Sequence, residues 1–357
     1  MLDDDALTAK WIRSQDDVVL QHSDLALSTL AEMVSSNSID VAPDFQRRDR
    51  WSVAKQSTLI ESFLLNLPVP PVYLSEERSG TYTVIDGRQR LTAIQSYLTD
   101  AFALRDLTEF PELNGRTFSQ LPLPMKANLT MRPLRCATLL RQTDPELKYL
   151  VFHRLNTAGE PLNAQEIRNV IYRGSLNDLL LSLASDPWFR RMLKITNDSS
   201  AAFRKMQDAE YVLRFLTLVE EWHDFSGDLS NAMDQYMMFN QNAGGSQLAA
   251  LHGTFMTSLE RCKIAWGNKA FRRPDGRNWR DQPLAGLFDA QMIAMATIAP
   301  EEARRLDGMQ APIEELTRAL FEDIEFDTAV RTGTNTPSRV KFRIDALARG
   351  LSELLAK

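Results

Sequence analysis

The chain has 357 residues, 44% hydrophobic and 25% charged, with a formal net charge of −6. That is ordinary globular composition at a length that suits two domains, and it contains no apolar run of membrane-spanning length. An acidic balance also excludes broad, charge-driven nucleic-acid binding, so any such contact needs a local basic patch.

The acidic start, Met-Leu-Asp-Asp-Asp, is the opposite of a basic secretory leader. Only Cys136 and Cys262 are present, far apart and with no CxxC. A cytoplasmic protein with reduced, packed thiols is the expectation.

In chain order, Thr29 and Glu32 have capping-box spacing for a helix ending near Ser36, and 39–42 reads as a strand. The segment 42–51 follows, with Gln46, Arg47, Arg48 and Arg50 before Trp51. Alone it reads as a polar connecting loop. Ser52 caps a helix carrying Val53, Leu59, Ile60, Phe63 and Leu64 at helical period. The proline-rich run 67–71 stops that helix and leads into a strand at 72–74. A turn at 77–80 returns the chain through a second strand at 82–85.

That strand runs into Asp86-Gly87, and an amphipathic helix begins at Arg88. Gly87 permits a tight strand-to-helix turn. The first helical amides lack intrahelical partners and favour negative charge. Arg88 and Arg90 add two permanent cations with planar donor forks suited to phosphate oxygens. Asp86 is the one carboxylate at the mouth, placed to hold a metal ion or orient a water. These parts describe an anion pocket with an acid beside it; the bland alternative is an ordinary turn with solvated arginines.

Further on, a strand is expected at 134–140. Asp144-Pro145 starts a helix that stops at Asn156-Thr157-Ala158-Gly159. The lone His153 on that helix reads as structural. Asn163 and Glu166 form another capping box. From there helical periodicity dominates, clearest at 208–222, 247–266, 284–298, 312–321 and 340–355. The fold class is therefore α+β, with a small α/β domain over 1–160 and an all-helical domain over 161–357. Arginines at 272, 273, 277 and 280, and the basic group Arg339, Lys341 and Arg343, are candidate basic patches or solvated faces.

There is no Walker A loop, no GxGxxG loop and no HExxH, zinc-finger or His-Asn-His spacing among the four histidines. Glu146-x-Lys148 mimics the end of a nuclease signature, but it sits in the first turn of a helix, where that chemistry needs a strand.

The motifs taken together resemble the N-terminal-domain family of GmrSD-type, modification-dependent restriction systems. That family's hallmark, Asp-Gly-Gln-Gln-Arg after a strand, reads Asp86-Gly87-Arg88-Gln89-Arg90 here, followed by Leu91-Thr92. Phe45-Gln46-Arg47 with Trp51, residues 59–62, residues 67–70, and Phe152, Leu155, Asn156, Gly159 and Leu162 match in order. Residues 204–210 and 212–215 look like the helical half of the same family. The resemblance implies a ParB/sulfiredoxin-like fold in the first domain and a nucleoside triphosphate as ligand. It also implies hydrolysis of that triphosphate, with Mg2+ as its metal, coupled to sensing foreign or modified DNA in anti-phage defence.

On that reading Asp86, Arg88, Gln89 and Arg90 carry the chemistry, Gln46, Arg47, Gly87 and Asn156 bind the nucleotide, and Asp86 meets the metal. With no nuclease motif in the sequence, the cutting activity is expected in a separate partner chain or is absent. One departure stands out: Arg88 replaces a glutamine, and arginine donates but cannot accept. The extra cation favours a more highly charged ligand. The rival readings are a non-catalytic, ParB-like DNA-binding adaptor and a module that holds nucleotide as a structural ligand. Sulfiredoxin-like redox chemistry is the least expected, because no cysteine lies near the Arg88 turn.

Overall fold

A computed structural model describes residues 4, 7–8, 11, 19–41, 51–77, 80–155, 163–197 and 200–356. The chain falls into two compact units, Met1–Leu162 and Asn163–Lys357.

The first unit is built on a five-stranded mixed sheet. In chain order it contains β1 (Leu20–Ala26), α1 (Leu27–Ser35), β2 (Ile39–Asp40), α2 (Val53–Leu64), β3 (Val72–Glu76), β4 (Tyr82–Asp86), α3 (Arg88–Leu98), α4 (Leu123–Met131), β5 (Pro133–Leu139) and α5 (Pro145–Leu155). The strand order is β1-β5-β3-β4-β2. β3 lies at the centre, parallel to β5 and antiparallel to β4. The core joins Leu27 and Leu30 of α1, Ile60 and Phe63 of α2, Leu91, Ile94 and Tyr97 of α3, and Val72, Leu74 and Cys136 of the sheet. Each such aliphatic or aromatic side chain contributes about 1.5–3 kcal/mol when fully buried. Glu61 is buried as well, and its Oε1 accepts from the amides of Glu109 and Phe110 at 2.9 and 3.0 Å, which pins the loop beyond α3.

Two details differ from the sequence reading. α1 starts at Leu27 with no side-chain cap, so the Thr29–Glu32 box is not used. Ser28 instead donates to the Thr130 carbonyl at 3.1 Å. β1 has no counterpart in the sequence reading: Leu-Gln-His-Ser-Asp-Leu-Ala has no clean alternation and is mostly exposed. It exists because the backbone of β5 supplies its ladder, with Asp24 and Arg135 paired across it at 2.9 Å.

The second unit is mostly helical. The Asn163–Glu166 box caps its first helix, Ala164–Ile171. The longest helices are Gly245–Trp266 and Pro337–Leu355, and a very apolar helix, Ala285–Thr297, is buried among them. The expectation of an all-helical unit is corrected at one point, where β6 (Arg272–Asp275) and β7 (Asn278–Pro283) form an antiparallel hairpin. Asp-Gly at 275–276 is the signal for it. No helix among the described residues is long and apolar enough to cross a membrane.

Candidate functional site

The five residues of the 86–90 motif sit where β4 ends and α3 begins. Opposite β4, Leu74 faces Val84 but Tyr73 faces Asp86, so Ile85 is an extra residue in the strand. Such a bulge breaks the alternation of side chains and re-aims the residue that follows it. Thr83, Val84 and Ile85 are accordingly all buried in succession, and Asp86 emerges partly exposed.

Gly87 then caps α3 in the left-handed region, at φ 97° and ψ 11°. A Cβ here would stand 2.9 Å from the Val72 side chain and 3.1–3.2 Å from the Arg90 guanidinium. Backbone angle and space therefore both demand glycine. Gly87→Ala is expected to destabilise the protein by about 2 kcal/mol, mostly through the forced left-handed conformation. Urea unfolding measures this, and an unchanged midpoint would contradict the packing described.

Arg90 lies folded over Gly87. Its Nη2 donates to Asp86 Oδ2 at 2.7 Å and to the Pro71 carbonyl at 3.1 Å. The guanidinium is 14% exposed and the carboxylate 37%. Arg90 Nε is buried and has no hydrogen-bond partner among the described residues. Pro71 enters the sequence reading only as part of a helix stop, although its carbonyl fixes the arginine; a backbone acceptor leaves no residue-type signal. Gln89 makes a contact toward α2. Its Oε1 accepts from the Trp51 amide at 3.2 Å, while Gln56 donates to the Trp51 carbonyl at 2.9 Å. Lys55 stands over the Trp51 ring at 4.8 Å. Gln89 thus tethers the chain entering α2 to the first turn of α3. Arg88 shares that first turn. Gln46, Arg47 and Asn156 lie outside the described residues.

The charge pattern of α3 is unusual. Its first turn contains no acid and two arginines. The helix macrodipole puts partial positive charge at this end, so cations there are disfavoured, typically by about 0.3–1 kcal/mol each, unless an anion sits among them. Asp86 supplies one anion from outside the helix. Among the described residues no three His, Cys, Asp or Glu side chains cluster to hold a metal. Two cavities lie in the second unit. One of about 490 Å³ is lined by Gly227, Asp228 and residues 333–337, and one of about 280 Å³ includes Arg190.

Residues 30–173 match the family model described as GmrSD restriction endonuclease, N-terminal domain. This segment is similar to GmrSD N-terminal domains. No curated protein and no solved structure matches the chain. The GmrSD match spans α1 to the helix Ala164–Ile171, and so contains the whole β4–α3 junction. The match is consistent with a restriction-like system.

The cysteines take no part in the junction. Burial pushes the Cys136 thiol up to about 11 and that of Cys262 well above its usual value. Neither is expected to react with a disulfide reagent at mildly alkaline pH until denaturant is added, when both should. A fast-reacting native thiol would contradict that burial.

Proposed function

We propose that the β4–α3 junction of this GmrSD-like domain binds the polyphosphate of a nucleoside triphosphate and catalyses its hydrolysis. The supporting observation is the pair of arginines in the first turn of a helix whose dipole disfavours them. Arg88 and Arg90 meet phosphate oxygens, and the left-handed turn at Gly87 lets the chain present the first amides of α3 to the ligand. Asp86 orients the attacking water. The donor set also fits Mg2+: that ion keeps most of its waters and needs only one or two protein carboxylates beside the phosphates, which Asp86 provides. When bound, the ion supplies charge neutralisation at the phosphates. Gln89 holds the Trp51 segment in place. Gln46, Arg47 and Asn156 complete the nucleotide contacts. Catalysis of this kind is mainly positioning and electrostatic stabilisation, so few groups suffice.

In the restriction context the domain acts as the nucleotide-dependent regulatory subunit of an anti-phage system. A separate nuclease chain does the cutting. The test is phosphate release from ATP, GTP, CTP and UTP, with and without phage DNA, alongside equilibrium binding of each triphosphate. Turnover with any of them supports the proposal, and no binding to any of them sinks it.

A second reading has one observation in its favour. Asp86 is already engaged by Arg90 at 2.7 Å. A nucleotide held by Arg88, the helix amides and the outer guanidinium edge would then be a structural ligand. Tight binding without turnover selects this reading.

A further inference from the structure

The hairpin β6–β7 gathers the arginines that the sequence leaves as an unassigned patch. Asp275 pairs with Asn278, which leaves Gly276 and Arg277 as a two-residue loop. Gly276 has φ 57°, the positive angle that the tight primed turns require at the first loop position. Arg277 therefore stands at the exposed tip.

The tip is braced from behind. Arg318, on the helix Gln310–Glu322, donates to the carbonyls of Gly276 and Arg277. Its guanidinium also lies 5.0 Å from the Trp279 ring centre, with Lys269 at 6.0 Å from the same ring. The ribbon is thus held in a fixed pose by interactions that leave its outer edge to solvent.

Its charges do not cancel. Asp281 serves both Lys194 and Arg272, and Asp327 serves both Arg273 and Arg331. Asp275 takes Arg280, and Glu314 takes Lys269. Among the described residues, Arg277 and Arg318 meet no carboxylate. Cations in this network outnumber carboxylates two to one, in a chain whose overall charge is −6. Such a concentration creates a local positive field that attracts a polyanion.

We propose that the β6–β7 hairpin is a docking ribbon for duplex DNA, with Arg277 and Arg280 on the phosphates. A two-stranded ribbon fits the dimensions of a DNA groove, and phosphate contacts of this type position a protein without reading sequence. The restriction context of the N-terminal domain favours duplex DNA over other polyanions. This surface belongs to the second unit and the 86–90 motif to the first, and its test needs no nucleotide.

The experiment is fluorescence anisotropy of a labelled duplex of random sequence with the full chain, titrated across salt. The double variant R277A/R280A is expected to weaken binding at least about tenfold and to lower the log–log salt slope by about 2, near 0.9 for each phosphate that is no longer neutralised. D275N, which releases Arg280 from its carboxylate, is expected to tighten binding. Both variants alter exposed side chains, and far-ultraviolet circular dichroism confirms their fold. D86A should bind the duplex like wild type, so this proposal and the nucleotide proposal fail separately. The inference is overturned if wild type shows no duplex affinity at low salt. It is equally overturned if R277A/R280A keeps the wild-type slope, or if single-stranded nucleic acid of equal length binds more tightly than duplex.

Discussion

Asp86→Ala is expected to reduce triphosphate turnover to background, a fall of about 10²–10⁴-fold, the range found when a positioned acid or base is removed. On the proposed reading this carboxylate has two tasks. It orients water or meets the metal, and its Oδ2 holds Arg90 at 2.7 Å. The alanine variant therefore also releases a guanidinium that keeps only the Pro71 carbonyl. Because the pair is partly exposed, its removal should cost no more than about 1 kcal/mol of stability. Activity and stability are thus expected to part company, which a melting curve beside the turnover assay will show. Asp86→Asn separates the two tasks. The amide oxygen still accepts from Arg90, but the negative charge is gone. If Asp86 orients water or meets Mg2+, D86N is as inactive as D86A while Arg90 stays in place. If Asp86 only positions Arg90, D86N recovers most of the activity. Full activity in both variants would remove Asp86 from the chemistry.

The junction is legible in the sequence because its signals are local. A strand, Asp-Gly, then Arg-Gln-Arg at the start of an amphipathic run spell out a turn, a cap and a helix N-terminus without any tertiary information. What the sequence hides is who touches whom. Its motif points Arg90 outward to a ligand, yet the side chain folds back over Gly87 to Asp86 and Pro71. An i,i+4 carboxylate–arginine pair at a helix start is visible in spacing, but its competition with a ligand is not. Family resemblance assigns Gln89 to catalysis, and the structure shows it holding Trp51. The bulge at Ile85 has no sequence signature either, since Thr-Val-Ile reads as plain strand. Non-local backbone pairing explains why β1 escapes the sequence reading, since its own residues carry little β pattern. In the second unit, helices are legible by periodicity. The hairpin is missed because the arginines at 272, 273, 277 and 280 read as a basic patch or a solvated face, while the Asp-Gly signal between them and the ion pairs that close the strands go unread.

The largest expected effect on stability lies in the second unit, at Asp289. This residue is fully buried in the helix Ala285–Thr297 and receives two arginines. Arg214 forks onto it, Nη2 to Oδ2 at 2.6 Å and Nε to Oδ1 at 3.2 Å. Arg343 reaches the same Oδ2 at 2.5 Å. Burial disfavours the charge on both arginines. At Arg214 the charge and hydrogen bonds of Asp289 outweigh that burial and hold the guanidinium above its ordinary value. At Arg343 burial wins, the repulsion of Arg214 adds to it, and the value falls. The cluster is therefore a buried pair of cations that a single carboxylate makes tolerable. Further donors go to the chain near 329–335: Arg343 to the carbonyls of Ala329 and Thr334, and Arg214 to the Asn335 side chain, while Arg343 Nε is buried with no partner among the described residues. Removing one partner of such a group leaves uncompensated charge in a low dielectric, which costs about 3–5 kcal/mol. Asp289→Ala leaves two such charges and is expected at the top of that range. For a unit of this size the melting temperature should fall by about 10 °C or more. Asp289→Asn, which keeps acceptors for one guanidinium, should fall between alanine and wild type. Exchanging the triad together for apolar residues of similar volume should recover much of the stability, because burying all three charges was itself costly. Differential scanning calorimetry of the three variants decides the matter: a D289A chain that melts within about a degree of wild type would mean that the guanidinium groups find other partners or water, and that Asp289 does not organise this core.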